Sequence, residues 1–215
     1  IGDGPLLKPE LPWEQDCIEA PSVVRRGSEL VMFYAGAYNN APQQIGVATS
    51  RDGMHWVRAS QEPFLRTGAP GSWNESESGH PGIFTDTDGQ SYLFFQGNND
   101  KGKTWYLSYV RIGWKDNRPL IRPRILGVAH IAIFSRDVEA SRRFYTGLLG
   151  YQEAFDLKNL DGSLSLTFFK INERQYIEVF PEKEAGSDRL NHIALEVDNA
   201  EAMRALMAAL TALVL

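Results

Sequence analysis

Val128-Ala129-His130-Ile131-Ala132-Ile133 returns 62 residues later as Leu190-Asn191-His192-Ile193-Ala194-Leu195, and at the same offset Glu139-Ala140-Ser141-Arg142 returns as Glu201-Ala202-Met203-Arg204. Each copy reads as a short apolar strand carrying a His and then a helix. The first helix is expected over residues 138–149, with Ser135 and Asp137 as capping candidates and Gly150 as its stop. Three further strands are expected before the second copy, at 151–157, 163–171 and 175–181, with Leu160-Asp161-Gly162 as a tight turn. The second copy has its strand and a helix from 200 to about 210, and the sequence then stops at Leu215. The expectation is an α+β βαβββ module with a partial second module.

These residues resemble the vicinal oxygen chelate plan shared by glyoxalase I, extradiol dioxygenases and bleomycin-resistance proteins. The resemblance runs from 127 to about 203. It rests on the two His-containing strands, on Arg143-Phe144-Tyr145 and Leu148-Leu149-Gly150-Tyr151 along the helix and beyond it, and on Glu178-Val179-Phe180 in the fourth strand. It implies a divalent metal held by one residue of the first strand and one of the fourth strand in each module. By position these are His130 and Glu178 in the first module and His192 in the second. Two imidazoles and a carboxylate suit Fe, Mn, Ni, Zn or Co and leave positions open for a substrate that chelates through adjacent oxygens. The last strands of a second module are missing from the sequence. A homo-oligomer is therefore expected, one copy completing the truncated sheet of another.

The first half has a different character. All five Trp, ten of the eleven Pro and fourteen of the nineteen Gly precede residue 125. Turn residues punctuate short β-prone runs there: Ser22-Val23-Val24, Glu29 to Tyr34, Ile45 to Ser50 and, after the hairpin signal Arg51-Asp52-Gly53, Trp56-Val57. The plan then repeats with Gly82-Ile83-Phe84, Ser91 to Phe95 and Thr104 to Val110, with Gln96 to Lys103 read as a polar loop. Two four-stranded units about 60 residues apart suggest an all-β partial propeller of about two blades.

Ile18-Glu19-Ala20-Pro21 with Phe33-Tyr34-Ala35-Gly36 and Ser50-Arg51-Asp52-Gly53-Met54-His55-Trp56 resembles five-bladed glycoside hydrolases of the family 43 type. That resemblance makes Glu19 the general acid. Gly79-His80-Pro81-Gly82 resembles the segment whose His points at the propeller axis beside a bound ion or water, which makes His80 an axis residue and calcium a candidate ion. An inverting mechanism needs a second carboxylate about 6.5–9.5 Å from the acid. The family's base motif is absent, and Asp16, Glu75 and Glu77 are the nearby substitutes. Trp13 and Trp73 are candidates for stacking on a sugar, although packing between blades is the commoner use of such side chains.

The 215 residues, 43% hydrophobic and 23% charged, exclude collagen-like and largely disordered chains. The net charge of −5 divides as −1 up to Arg124 and −4 beyond, so neither half offers a basic footprint for nucleic acid. No apolar run reaches the roughly 20 residues of a membrane span. The lone Cys17 rules out an internal disulfide, and the residues that follow Ile1 do not read as a signal peptide. Localisation is left open, a cytoplasmic protein or a recombinant fragment being expected. Two domains are expected, 1–124 and 125–215, joined by a short segment at 120–126, each half an incomplete version of a larger fold. The leading functional expectation is hydrolysis of a β-glycosidic bond in a small pentose- or glucose-type carbohydrate, with Glu19 as acid. The alternatives are a metal-dependent lyase, isomerase or dioxygenase at His130, Glu178 and His192, and a non-catalytic fusion that only binds carbohydrate.

Overall fold

A computed structural model describes residues 4–182 and 189–211. Asp3 lies outside these residues, as do Ala212, Leu213, Val214 and Leu215. The chain divides into two compact units: Arg124–Ala200 forms one, and the residues up to Pro123 form the other, with those from Glu201 onward grouped with them. Among the described residues no helix is long and apolar enough to cross a membrane.

The first unit contains two antiparallel four-stranded sheets in simple order. One is β1 (Ile18–Arg26), β2 (Glu29–Gly36), β3 (Gln44–Ser50) and β4 (Val57–Arg58), and the other is β5 (Glu77–Thr85), β6 (Ser91–Asn98), β7 (Tyr106–Lys115) and β8 (Arg118–Arg122). Period-two alternation sends Val31, Phe33, Ile45 and Val47 of the first sheet against Leu93, Phe95 and Ile112 of the second. Complete burial of Phe33, Ile45 and Leu93 contributes roughly 1.5–3 kcal/mol each. The opposite face of β2 is also covered: Met32 and Tyr34 pack with Leu7, Trp13, Ile18 and Trp56. Trp13 lies so close to the backbone of β2 and β3 that a Cβ on Gly36 or Gly46 would meet its ring at 2.3 or 2.7 Å. Two sequence expectations change here. Residues 120–122 are not a join but the end of β8, where Ile121 pairs with Ile112. Gln96 is not in a loop: it continues the alternation of β6 and pairs with Gly79 and Leu107.

Beneath the first sheet lies a buried ion pair that the sequence did not reveal. Arg58 Nε and Nη2 donate to the two oxygens of Glu14 at 2.7 and 2.8 Å, and Tyr34 Oη donates to Oε1 at 2.6 Å. Burial pushes the Glu14 carboxyl upward, but the hydrogen bonds from Arg58, Tyr34 and the N–H groups of Glu10 and Leu11 outweigh it and hold the group below its usual value.

The second unit is one five-stranded sheet ordered β10-β11-β12-β9-β13. Its strands are β9 (Ile125–Ser135), β10 (Gln152–Lys158), β11 (Leu164–Lys170), β12 (Tyr176–Pro181) and β13 (Leu190–Val197). β12 runs parallel to β9, and β13 pairs antiparallel on its other side. The helix expected over 138–149 is α-helical only at α1 (Val138–Arg142), where Asp137 caps it, and continues as a π-helical turn over Arg143–Leu148. Thr146 explains the change: its hydroxyl donates to the Arg142 carbonyl at 2.7 Å, inserting a side chain into the helical ladder. Tyr145 packs on Phe169 at 4.9 Å, and Arg142 donates to Glu153 and Asp156, so the helix covers one face of this sheet. A second helix, α2, spans Ala200–Thr211.

Candidate functional site

In the first unit, two bulges face each other on neighbouring strands. β1 gains an extra residue between Glu19 and Ser22, β5 gains one between Gly79 and Gly82, and Ile83 N donates to Ser22 Oγ at 2.9 Å between them. The residue before proline is left-handed in both, Ala20 at φ 50° and His80 at φ 48°. A bulge re-aims the side chains beside it. Here it brings His80 Nε2 to 3.6 Å from Glu19 Oε1. Gln43 Nε2 donates to the same oxygen at 2.6 Å and to Ala37 O at 3.0 Å. Gly79 makes room for it, since a Cβ there would lie 1.8 Å from Gln43 Oε1.

The other expected residues of this half are placed as follows. Glu77 is completely buried, with Oε1 accepting from Gln96 Nε2 at 2.9 Å and Oε2 from Asn40 N at 2.7 Å. Gln96 Nε2 also meets His80 Nδ1. Asp16 is exposed and makes no hydrogen bond or ion pair with Glu19. Trp13 stacks on Tyr34 at 5.9 Å and donates to Gln61 O, while Trp73 packs against Phe95 and Tyr106. A cleft of about 190 Å³ lies beside Glu19, lined by Leu6, Leu7, Ile18, Pro21, Met32 and Tyr34. Gln43, Gln96 and Asn40 were missed from the sequence. The alternation Phe94, Gln96 was the available signal for Gln96, because it puts the amide on the same strand face as an aromatic residue two positions earlier.

In the second unit the register of three strands builds a compact donor set. Ala132 of β9 is flanked by Glu178 on β12 and by His192 on β13, so those two side chains share its face. His130 precedes Ala132 by two residues and joins the same face. His130 Nε2 lies 3.2 Å and His192 Nε2 3.3 Å from Glu178 Oε2, and the two nitrogens are 2.9 Å apart. Glu178 is only 6% exposed. Its Oε2 is buried yet receives no well-directed hydrogen bond. Ala132, fully buried, contributes only a methyl group between the Glu178 and His192 side chains. His192 Nδ1 lies 3.1 Å from the side-chain amide of Asn191, and its Nε2 is the ring nitrogen turned toward His130 and Glu178.

Residues 127–213 match the family model of the Glyoxalase/Bleomycin resistance protein/Dioxygenase superfamily. No curated protein matches the chain. Among solved structures, an endo-1,4-beta-xylanase from Bacteroides thetaiotaomicron is 22% identical with TM-score 0.48, the match covering 54% of this chain and 42% of that one. A thermostable family-43 glycoside hydrolase is 20% identical with TM-score 0.49, over 57% and 43%. An alpha-L-arabinofuranosidase from Lactobacillus brevis is 20% identical with TM-score 0.44, over 53% and 40%. The matches thus span about two fifths of the length of those structures.

The donor set of this segment fits a first-row divalent ion. Three ligand atoms at about 2.0–2.2 Å from one centre stand about 3.0 Å apart on an octahedron and about 3.4 Å apart on a tetrahedron. The separations of 2.9, 3.2 and 3.3 Å lie close to these values. The buried Glu178 Oε2, without a hydrogen-bond partner, is a donor atom that such an ion would use. Around the donors stand aromatic rings: Phe168 at 5.8 Å from the His130 ring, Phe155 stacked on Phe168 at 4.6 Å, and Phe180 at 6.5 Å from His192.

Proposed function

We propose that the chain carries a mononuclear divalent-metal centre at His130, Glu178 and His192, where a small substrate binds through adjacent oxygens. The reaction belongs to the lyase, isomerase and dioxygenase range of the superfamily that the segment matches. The observation that carries this reading is the convergence of two Nε2 atoms and one buried, undonated carboxylate oxygen within 4.8 Å. When bound, the ion supplies Lewis-acid polarisation of a coordinated oxygen.

The protein's own groups do the rest. Glu178 brings a negative charge that would partly neutralise a dication, and the Asn191 side-chain amide contacts His192 Nδ1 on the side of the ring away from Nε2. Phe168 and Phe180 wall the donors and give an apolar part of the substrate something to pack on. With three protein donors, at least one position on the ion is left for substrate oxygens. Titration with Co(II) tests both claims: visible absorption bands appear with one equivalent and shift when acetohydroxamate, a two-oxygen chelator, is added. Saturation without such bands contradicts the centre, and bands insensitive to the chelator contradict the open positions.

A second reading is favoured by Glu19. One of its oxygens faces two nitrogens, the other has no protein donor among the described residues, and an apolar cleft adjoins it. Taking the two sheets of the first unit as neighbouring propeller blades, this reading makes Glu19 the acid of a glycoside hydrolase acting on a small pentose- or glucose-type carbohydrate. Among the described residues it has no identified base: Asp16 has no link to Glu19, and the buried Glu77 has both oxygens occupied. Glu19→Gln is expected to abolish aryl-glycoside hydrolysis, and unchanged turnover contradicts it.

A further inference from the structure

We infer that Gln96 is a positioning residue: anchored on the buried Glu77, its amide fixes His80 as the Nε2–H tautomer and turns that N–H toward Glu19. A carboxylate oxygen accepts and does not donate, so the Gln96 atom 2.9 Å from Glu77 Oε1 is the amide nitrogen. A flipped amide would set two acceptors against each other inside a buried site. Glu77 itself cannot swing away, because Oε2 is taken by Asn40 N at 2.7 Å and the side chain is fully enclosed.

The second hydrogen of the same amide nitrogen meets His80 Nδ1. That ring nitrogen must then accept, and a neutral imidazole with Nδ1 accepting carries its one proton on Nε2. Nε2 stands 3.6 Å from Glu19 Oε1, an electrostatic alignment rather than a formed hydrogen bond. Gln43 donates to that same oxygen at 2.6 Å. Two N–H groups therefore converge on Oε1, and Oε2 is the oxygen left for a ligand. The left-handed backbone of His80, at φ 48°, is the strained element that carries the ring to this position.

This proposal concerns the proton pattern of His80 and holds independently of the metal centre and of any glycosidase activity. His55 offers an internal contrast, since its Nδ1 lies 2.7 Å from Asp52 Oδ2, an acceptor, and so bears the proton. Long-range proton–nitrogen correlation spectra of the nitrogen-15-labelled full chain read both tautomers, with the four His assigned by single substitutions, at a pH where the His80 shifts no longer change. The expected result is Nε2–H for His80 and Nδ1–H for His55. Gln96→Met keeps the chain length but removes the donor, and is expected to move His80 to a mixture of both tautomers while His55 stays at its original position, reporting an intact fold. An Nδ1–H His80 or an even mixture in the unaltered protein overturns the proposal, and needs no variant to do so. A folded Gln96→Met with the His80 pattern unchanged also overturns it.

Discussion

Single residues set the chemistry of both candidate sites. Ala132 is the smallest chain that keeps the sheet face formed while leaving space between Glu178 and His192. Ala132→Leu fills that space, and equilibrium dialysis is expected to show metal affinity reduced by at least tenfold, with a loss of stability of about 1–3 kcal/mol from overpacking. The Glu14–Arg58 pair makes a second prediction at this scale. Arg58→Met strands a buried carboxylate and is expected to cost about 3–5 kcal/mol in denaturant unfolding of the first unit. The folded carboxyl of Glu14 is held below its usual 4.5. Its contribution is therefore complete above that pH and is lost as pH falls through the lower folded value. Acid unfolding of Glu14→Gln should show a correspondingly shallower pH slope. The 62-residue repeat made the equivalence of His130 and His192 legible in the sequence, whereas Glu178 entered only through the family resemblance, and the strand pairing that brings the three together is seen in the structure. Glu14, Gln43 and Gln96 were not legible, because their partners lie in loops or on strands whose register no local pattern specifies.

Elements decide where those residues point. The bulges at Ala20-Pro21 and His80-Pro81 are the same device 60 residues apart, yet the sequence offered only two acid- or His-containing tripeptides. Their left-handed φ arises from tertiary pairing that forces one extra residue into β1 and β5. At Ala20 that backbone costs an L residue about 1–2 kcal/mol. Ala20→Gly is expected to be neutral or slightly stabilising in thermal unfolding, whereas Ala20→Val, whose branched side chain fits that region poorly, is expected to lose about 2 kcal/mol or more. Strands in general were readable from alternation. The exceptions have identifiable causes: β8 was hidden by Pro119 and its charged ends, and the π-helical turn by Thr146, whose side-chain hydrogen bond competes with the helix without disturbing the apolar pattern.

At the scale of the whole molecule, the compositional break near residue 125 falls beside the boundary between Pro123 and Arg124. Composition says nothing, however, about the grouping of residues from Glu201 onward with the first unit, because that depends on contacts distant in sequence. The two units also give the metal reading a selective signature. A ligand that binds one folded unit stabilises that unit, by about 2.7 kcal/mol at a free concentration one hundred times its dissociation constant. Divalent metal is therefore expected to raise the unfolding temperature of the unit containing β9 to β13, followed by the near-ultraviolet signal of its aromatic cluster, and to leave unfolding of the Trp-rich unit, followed by Trp fluorescence, in place. The most direct test of the central claim is elemental analysis of the full chain after equilibration with excess divalent metal and removal of the free ion. The account predicts one ion per chain in the unaltered protein and a loss of at least tenfold in each of His130→Ala, Glu178→Gln and His192→Ala. Absence of bound metal in the unaltered protein, or a stoichiometry untouched by Glu178→Gln, would contradict it.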